Sequence, residues 1–92
     1  MRLMMRFNVP VEKGNEAEAN GSLAQAIKEL VEVLRPEAAY FHLDDGKRAG
    51  TIFFEATDPA QLAVVNEPLF ARLNAAMDIQ PAVSLEELLE GL

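Results

Sequence analysis

The sequence predicts an α+β domain of ferredoxin-like order: strand, helix, strand, strand, helix, strand. Three observations carry that expectation. Residues 2–11 alternate apolar and polar with a period of two, and residues 22–35 carry a helical stripe. A short alternating pair of segments around Asp44-Asp45-Gly46-Lys47 reads as a hairpin. The order then repeats strand after helix, as in a split βαβ unit with a four-stranded antiparallel sheet.

In the first strand Leu3, Met5, Phe7, Val9 and Val11 form one face, and Arg2, Met4, Arg6 and Asn8 the other. Pro10 donates no backbone hydrogen bond and puts the strand's last part at an edge or outside the ladder. Residues 12–21 are polar with two glycines and read as a long loop. Ser22 and Gln25 form a capping-box pattern. Leu23, Ala26, Ile27, Leu30, Val31, Val33 and Leu34 then make the apolar side of the first helix, which Pro36 stops near Arg35.

Ala39, Phe41 and Leu43 alternate with Tyr40 and His42 in a second strand, and Thr51 to Ala56 forms the third. Gly46 supplies the positive φ that a tight hairpin turn requires. Asp58-Pro59 starts the second helix, with Gln61 completing a second capping-box pattern. Pro68 predicts a kink or a break into two pieces. Ile79 to Val83 is a fourth strand, at an edge because of Pro81. Ser84 and Glu87 cap a short terminal helix with Leu85, Leu88, Leu89 and Leu92 on one side.

The 92 residues form one domain near the lower size at which chains fold alone, so burial against a second copy adds substantially to stability. The two main helices would cover one sheet face. The other face carries Met4, Arg6, Asn8, Tyr40, His42, Thr51, Phe53, Glu55, Gln80 and Ala82. It is too apolar for open solvent and too polar for a simple core. A homodimer through the face bearing Met4, Tyr40 and Phe53 is the expectation.

Fifteen acidic against eight basic residues give a net charge of −7, with no basic stripe. That argues against a nucleic-acid partner and against an acidic membrane surface. No apolar run is long enough to span a bilayer, and Arg6, Asn8 and Pro10 interrupt the opening segment before it resembles a signal peptide. Cytoplasmic residence is expected. With no cysteine, thiolate nucleophiles, disulfides and thiolate metal sites are excluded.

Pro36-Glu-Ala-Ala-Tyr-Phe-His-Leu-Asp-Asp-Gly-Lys-Arg48, with Asp58-Pro59, Glu67-Pro68-Leu69-Phe70, Leu73-Asn74-Ala75 and the opening Met-Arg-Leu-Met-Met-Arg-Phe, resembles a family of small bacterial proteins of unknown function. The likeness spans almost the whole chain, and these proteins look related to the dimeric α/β-barrel superfamily. It implies two ferredoxin-like sheets facing each other across a cavity or packed core. Members of the wider superfamily include cofactor-free monooxygenases, haem binders, and enzymes that degrade lactones or dehydrate small substrates. No signature of any one of these is matched, so the resemblance carries over no catalytic residue and no cofactor.

Among polar groups, His42 is the only histidine and has the one side chain that ordinarily titrates near neutrality. It shares a face with Tyr40 and sits across from Glu55 if the hairpin register allows, so His42, Glu55 and Tyr40 are the catalytic candidates. The competing reading is a hydrogen-bonded histidine at an interface or strand end. Arg6, Asn8 and Tyr40 are the ligand-binding candidates, because Arg6 offers a planar fork to a carboxylate or other anion. Arg6 paired with an acidic residue is the alternative. Asn74 reads as a helix-end residue and Glu67 as a charge beside the proline. Asp44 and Asp45 belong to a turn, and a lone histidine without spaced carboxylates makes no metal site. Gly46 and Gly50 do not form a phosphate loop. Two functions follow: a homodimer of unassigned role that binds a small organic ligand, or a cofactor-free enzyme, monooxygenase-, isomerase- or hydrolase-like, working in an intersheet pocket.

Overall fold

A computed structural model describes residues 1–92. The elements are β1 (Arg2–Val9), α1 (Val11–Asn20), α2 (Ser22–Leu34), β2 (Ala38–Asp44), β3 (Lys47–Glu55), α3 (Ala60–Leu73), β4 (Ala76–Pro81) and α4 (Leu85–Gly91). The four strands form one antiparallel sheet in the order β2-β3-β1-β4. This is the ferredoxin-like arrangement, so the expected fold class holds.

The alternation of β1 decides how the sheet is covered. Met5 lies opposite Ile52 and Ile79, and Phe7 opposite Gly50 and Met77. Leu3, Met5, Phe7 and Val9 are all buried and join Ile52 and Phe54 against Ala26, Leu30 and Leu34 of α2 and Val65, Leu69 and Leu73 of α3. Each large apolar side chain removed from water in this way contributes about 1.5–3 kcal/mol. Arg72 Nη1 donates to Glu29 Oε2 at 2.5 Å and ties α3 to α2 outside that core.

Several local expectations need correction. Residues 12–21 are not a loop, because α1 occupies Val11–Asn20. Pro10, at φ −54°, leads into this helix, and Glu12 lies in its positively polarised first turn. Only small residues, Gly14 and Ala17, are buried on α1, so no large apolar stripe marks it. The core is therefore roofed by a third helix besides the two expected. Gly21, at φ 83°, turns α1 directly into α2, so Ser22 is a helical residue and its capping box does not form. At α3, Asp58 Oδ1 accepts from the Ala60 N–H at 3.0 Å, but Gln61 returns no bond and its Oε1 is buried unpaired.

The helix does not break at Pro68. α3 runs unbroken from Ala60 to Leu73. Pro68 lies on its outer side with exposed Val64 one turn back, so the bond it forgoes to the Val64 carbonyl is on the side facing water. Asn74 then ends the helix in the left-handed region at φ 55°. β4 consequently starts at Ala76, earlier than expected, and ends at Pro81 on the sheet edge. Asp45 and Gly46 both have positive φ, 52° and 73°, as a two-residue hairpin turn demands.

At the far end Ser84 and Glu87 form the reciprocal capping box of α4. No residue of α4 is buried. The molecule measures 47 × 27 × 17 Å, with a radius of gyration of 14.0 Å. A compact chain of this length has about 12–13 Å, so α4 stands off the body.

Gly50 is the position where sheet and core meet most closely. A Cβ there would lie 2.6 and 2.8 Å from ring atoms of Phe7 and 3.1 Å from Phe41. Gly50→Ala is expected to lower stability by about 1–3 kcal/mol in urea denaturation, because the added Cβ must displace the buried Phe7 ring from its packing. Gly91→Ala, where nothing lies within 4 Å, serves as the neutral comparison.

Candidate functional site

The uncovered sheet face holds all the catalytic and ligand-binding candidates, Arg6, Asn8, Tyr40, His42 and Glu55, whereas Glu67 and Asn74 belong to α3 and its end. Across its middle the register aligns Tyr40, Thr51, Arg6 and Asp78, one from each strand. Towards the hairpin end the next row is His42, Ala49, Asn8 and Ala76. In the opposite direction lie Ala38, Phe53, Met4 and Gln80. The face is therefore polar at one end and apolar at the other.

His42 and Glu55 are not brought together. The register sets Ala49 opposite His42, while Glu55 lies opposite Arg2 near the other end of the sheet and is bound by the Met1 amino group. The His–carboxylate pair fails because Glu55 is on the right face of β3 but several residues too far along it. His42 instead lies 2.7 Å from Thr51 Oγ1 through Nε2, and 3.0 Å from the Leu43 carbonyl through Nδ1. A carbonyl only accepts, so Nδ1 carries the proton and, in the neutral ring, Nε2 accepts from the Thr51 hydroxyl. Thr51 and Asp78 are the groups that reading the sequence did not single out; Asp78 lies outside the expected fourth strand, which begins at Ala76 rather than Ile79. A threonine alternating in a strand carries no signal of its own until the hairpin register is known.

Arg6 is exposed, directly opposite Asp78, and makes no ion pair. Asn8 Nδ2 donates to Asp44 Oδ2 at 3.3 Å, reaching over the small side chain of Ala49. Arg6, Asn8, Asp44, Ala76 and Asp78 border a cleft of about 230 Å³. One guanidinium and two carboxylates thus share an open depression. Tyr40 and His42 are exposed beside it and Thr51 is half-buried.

At the apolar end, Phe53 and Ala38 are half-buried beside Ala82, Val83 and Ser84, which follow β4. Arg2 clamps this region: its Nε donates to Glu37 Oε1 at 2.5 Å, and its Nη1 to Glu87. Hydrogen bonding from Arg2, then from the Ser84 backbone and hydroxyl, holds the Glu87 carboxyl down at about 2. The same two carboxylates raise the Arg2 guanidinium further above its already high value, so it stays charged throughout. A larger cavity, about 290 Å³, lies between α2 and α3 and is mostly apolar, lined among others by Val33, Val64 and Leu69. It contains none of the candidate groups. No cluster of three or more His, Asp or Glu side chains is placed to hold a metal ion, and no helix is long and apolar enough to cross a membrane.

No family model and no curated protein matches the chain. Solved structures do. A formyltetrahydrofolate deformylase from Pseudomonas putida KT2440 superposes with a TM-score of 0.57 at 12% identity over 89% of this chain. The chain spans only 29% of that protein's length. The periplasmic divalent cation tolerance protein CutA from Archaeoglobus fulgidus gives a TM-score of 0.52 at 16% identity, covering 98% of this chain and 93% of CutA. The de novo designed protein Ferredog-Diesel gives 0.52 at 8% identity, covering 88% and 85%. At such identities the likeness establishes the small ferredoxin-like, or ACT-like, fold and nothing about activity.

Because Glu87 titrates lower folded than unfolded, its contribution is present above the ordinary glutamate value of 4.5 and is lost as pH falls towards about 2. Carboxyl-detected NMR should show Glu87 titrating near the lower value, with the amides of α4 losing protection over the same window. Arg2→Met is expected to raise the Glu87 titration towards the ordinary glutamate range without restoring it fully, because the Ser84 hydrogen bonds remain; an unmoved titration would refute the clamp.

Proposed function

We propose that this is a homodimeric, non-catalytic domain of the cytoplasm that binds a small organic molecule on the open face of its sheet. The observation that carries the reading is Arg6, an exposed guanidinium without an ion-pair partner at the centre of that face. Asp44 and Asp78 border the same cleft. A purely anionic ligand would meet two carboxylates there, and a purely cationic one would meet Arg6. A zwitterion matches both: its carboxylate on the Arg6 fork, its ammonium towards Asp44 or Asp78, and its side chain over Thr51 towards Tyr40. At about 230 Å³ the cleft suits a molecule of free amino-acid size. Homodimerisation is supported by the apolar side chains left exposed on β2 and α4.

Calorimetric titration with free amino acids of graded side-chain size tests the ligand reading. Binding is expected for at least one of them. It should weaken about 10- to 100-fold in Arg6→Met and in Asp78→Asn, as loss of a charge-assisted hydrogen bond implies. The N-acetyl and methyl-ester forms of the same amino acid, each lacking one charge, should also bind more weakly. Binding indifferent to both substitutions, or no heat from any amino acid, would remove the reading.

One observation favours the alternative of a cofactor-free, hydrolase-like enzyme. The Thr51 hydroxyl is 2.7 Å from a histidine whose other nitrogen is oriented by a carbonyl, and Arg6 lies across the ladder from it. The face is open, however, and nothing excludes water from the pair. If the pair is catalytic, p-nitrophenyl acetate hydrolysis by the protein will exceed free imidazole at matched concentration and disappear in both Thr51→Val and His42→Ala. Equal rates in the three proteins would leave the binding reading alone.

A further inference from the structure

The sequence pattern puts the homodimer proposed above on the face bearing Met4, Tyr40 and Phe53, but ligand binding needs that face open, and the edges of the sheet supply another surface. The order β2-β3-β1-β4 leaves two strands with one unpaired side each. β4 is guarded as edges usually are, by Pro81 and by Asp78. β2 has no proline, and its one carboxylate, Asp44, is confined to the hairpin end. Its seven residues, Ala38-Ala39-Tyr40-Phe41-His42-Leu43-Asp44, contain no lysine or arginine either. Tyr40, Phe41 and Leu43 are 66%, 51% and 74% exposed, whereas Met4 and Phe53 on the sheet face are half-buried. An edge whose outer N–H and C=O groups lack a strand partner is a template for another strand; of these groups the Leu43 carbonyl already accepts from His42 Nδ1 but keeps a second lone pair.

We propose that β2 pairs antiparallel with β2 of a second copy, about a two-fold axis at Phe41, to give one continuous eight-stranded sheet.

The strand's own composition selects a second copy as occupant. With the axis at Phe41, all seven residues find an opposite number. On the helix side Phe41 meets the partner's Phe41, and Leu43 meets the partner's Ala39. On the open side His42 meets the partner's Tyr40, and Asp44 meets the partner's Ala38. Large lies against small at the flanks, aromatic against aromatic at the centre, and no like charges stand opposite within the strand. The next pair outward sets Glu37 by the partner's Asp45, but Arg2 already holds Glu37 and Lys47 lies 3.7 Å from Asp45. A two-fold axis also keeps each face on its own side, so the helices of both copies cover the same side. Phe41 and Leu43 further border an apolar groove of about 190 Å³ with Leu23 and Ile27 of α2, which the partner's side chains can enter. Both copies carry −7, so their long-range repulsion falls with added salt, and association is expected to tighten as salt rises. The pairing places the partner's Tyr40 beside His42 and Thr51, extending each binding face across the two-fold.

The test is sedimentation equilibrium of the whole chain at micromolar concentration, combined with amide hydrogen exchange. The expected result is a two-chain mass, with amides on the outer side of β2 exchanging more slowly than in dilute monomer. Leu43→Lys, at an exposed position whose change spares the core, is expected to weaken association at least tenfold. Leu89→Lys on α4, also exposed, should not. A dimer that Leu43→Lys leaves intact, or whose β2 amides are no slower than in the monomer, overturns the edge pairing and leaves the homodimer standing. A single-chain mass overturns both. Should Leu43→Lys fail to fold, the exchange pattern of the unaltered chain decides.

Discussion

Everything in this molecule depends on a four-stranded sheet whose three longer helices lie on one side. The constraint begins in β1, which alternates without fault: Leu3, Met5, Phe7 and Val9 inward, Arg2, Met4, Arg6 and Asn8 outward. A one-residue slip would send every inward side chain to the wrong face. Gly50 sharpens the register, since only a residue without Cβ fits against the Phe7 ring. With α1, α2 and α3 spent on one face, the other is left to water, to a ligand or to another chain.

The open face is graded rather than uniform. Its middle and hairpin end gather Arg6, Asn8, His42, Asp44, Thr51 and Asp78, whereas its other end is partly covered by residues 82–84 and clamped by Arg2. This arrangement separates two tasks. The clamp seats the start of α4 through bonds to Glu37 and Glu87, and the polar end keeps an unpaired guanidinium accessible. Pairing at β2 would then join two such faces side by side without closing either. Ligand access and association are thus served by different sides of the same strands.

Much of the architecture was legible because period-two alternation and turn chemistry are local signals. Strand parity put Met4, Arg6, Asn8, Tyr40, His42, Thr51, Phe53 and Gln80 on the open face, and Asp45-Gly46 announced the hairpin, but Asp78 stayed out of view because β4 begins at Ala76. What escaped depended on contacts distant in sequence. α1 was hidden because its buried residues are Gly14 and Ala17, whose burial comes from neighbours rather than from their own hydrophobicity. Pro68 misled because a helix tolerates proline where the forgone bond faces water. At the site, Arg6 and Asn8 do line one cleft, but the His42–Glu55 pairing required a register that the hairpin does not adopt. Thr51 became visible only once β2 and β3 were aligned.

The central claim is that the polar end of the open face is where this protein meets a small zwitterion. The most direct measurement is two-dimensional NMR of the whole chain during titration with free amino acids. Shift changes concentrated on Arg6, Asn8, Asp44, Thr51 and Asp78 are the result predicted. Changes centred instead on Val33, Val64 and Leu69 in the cavity between α2 and α3, or none at all, would contradict it.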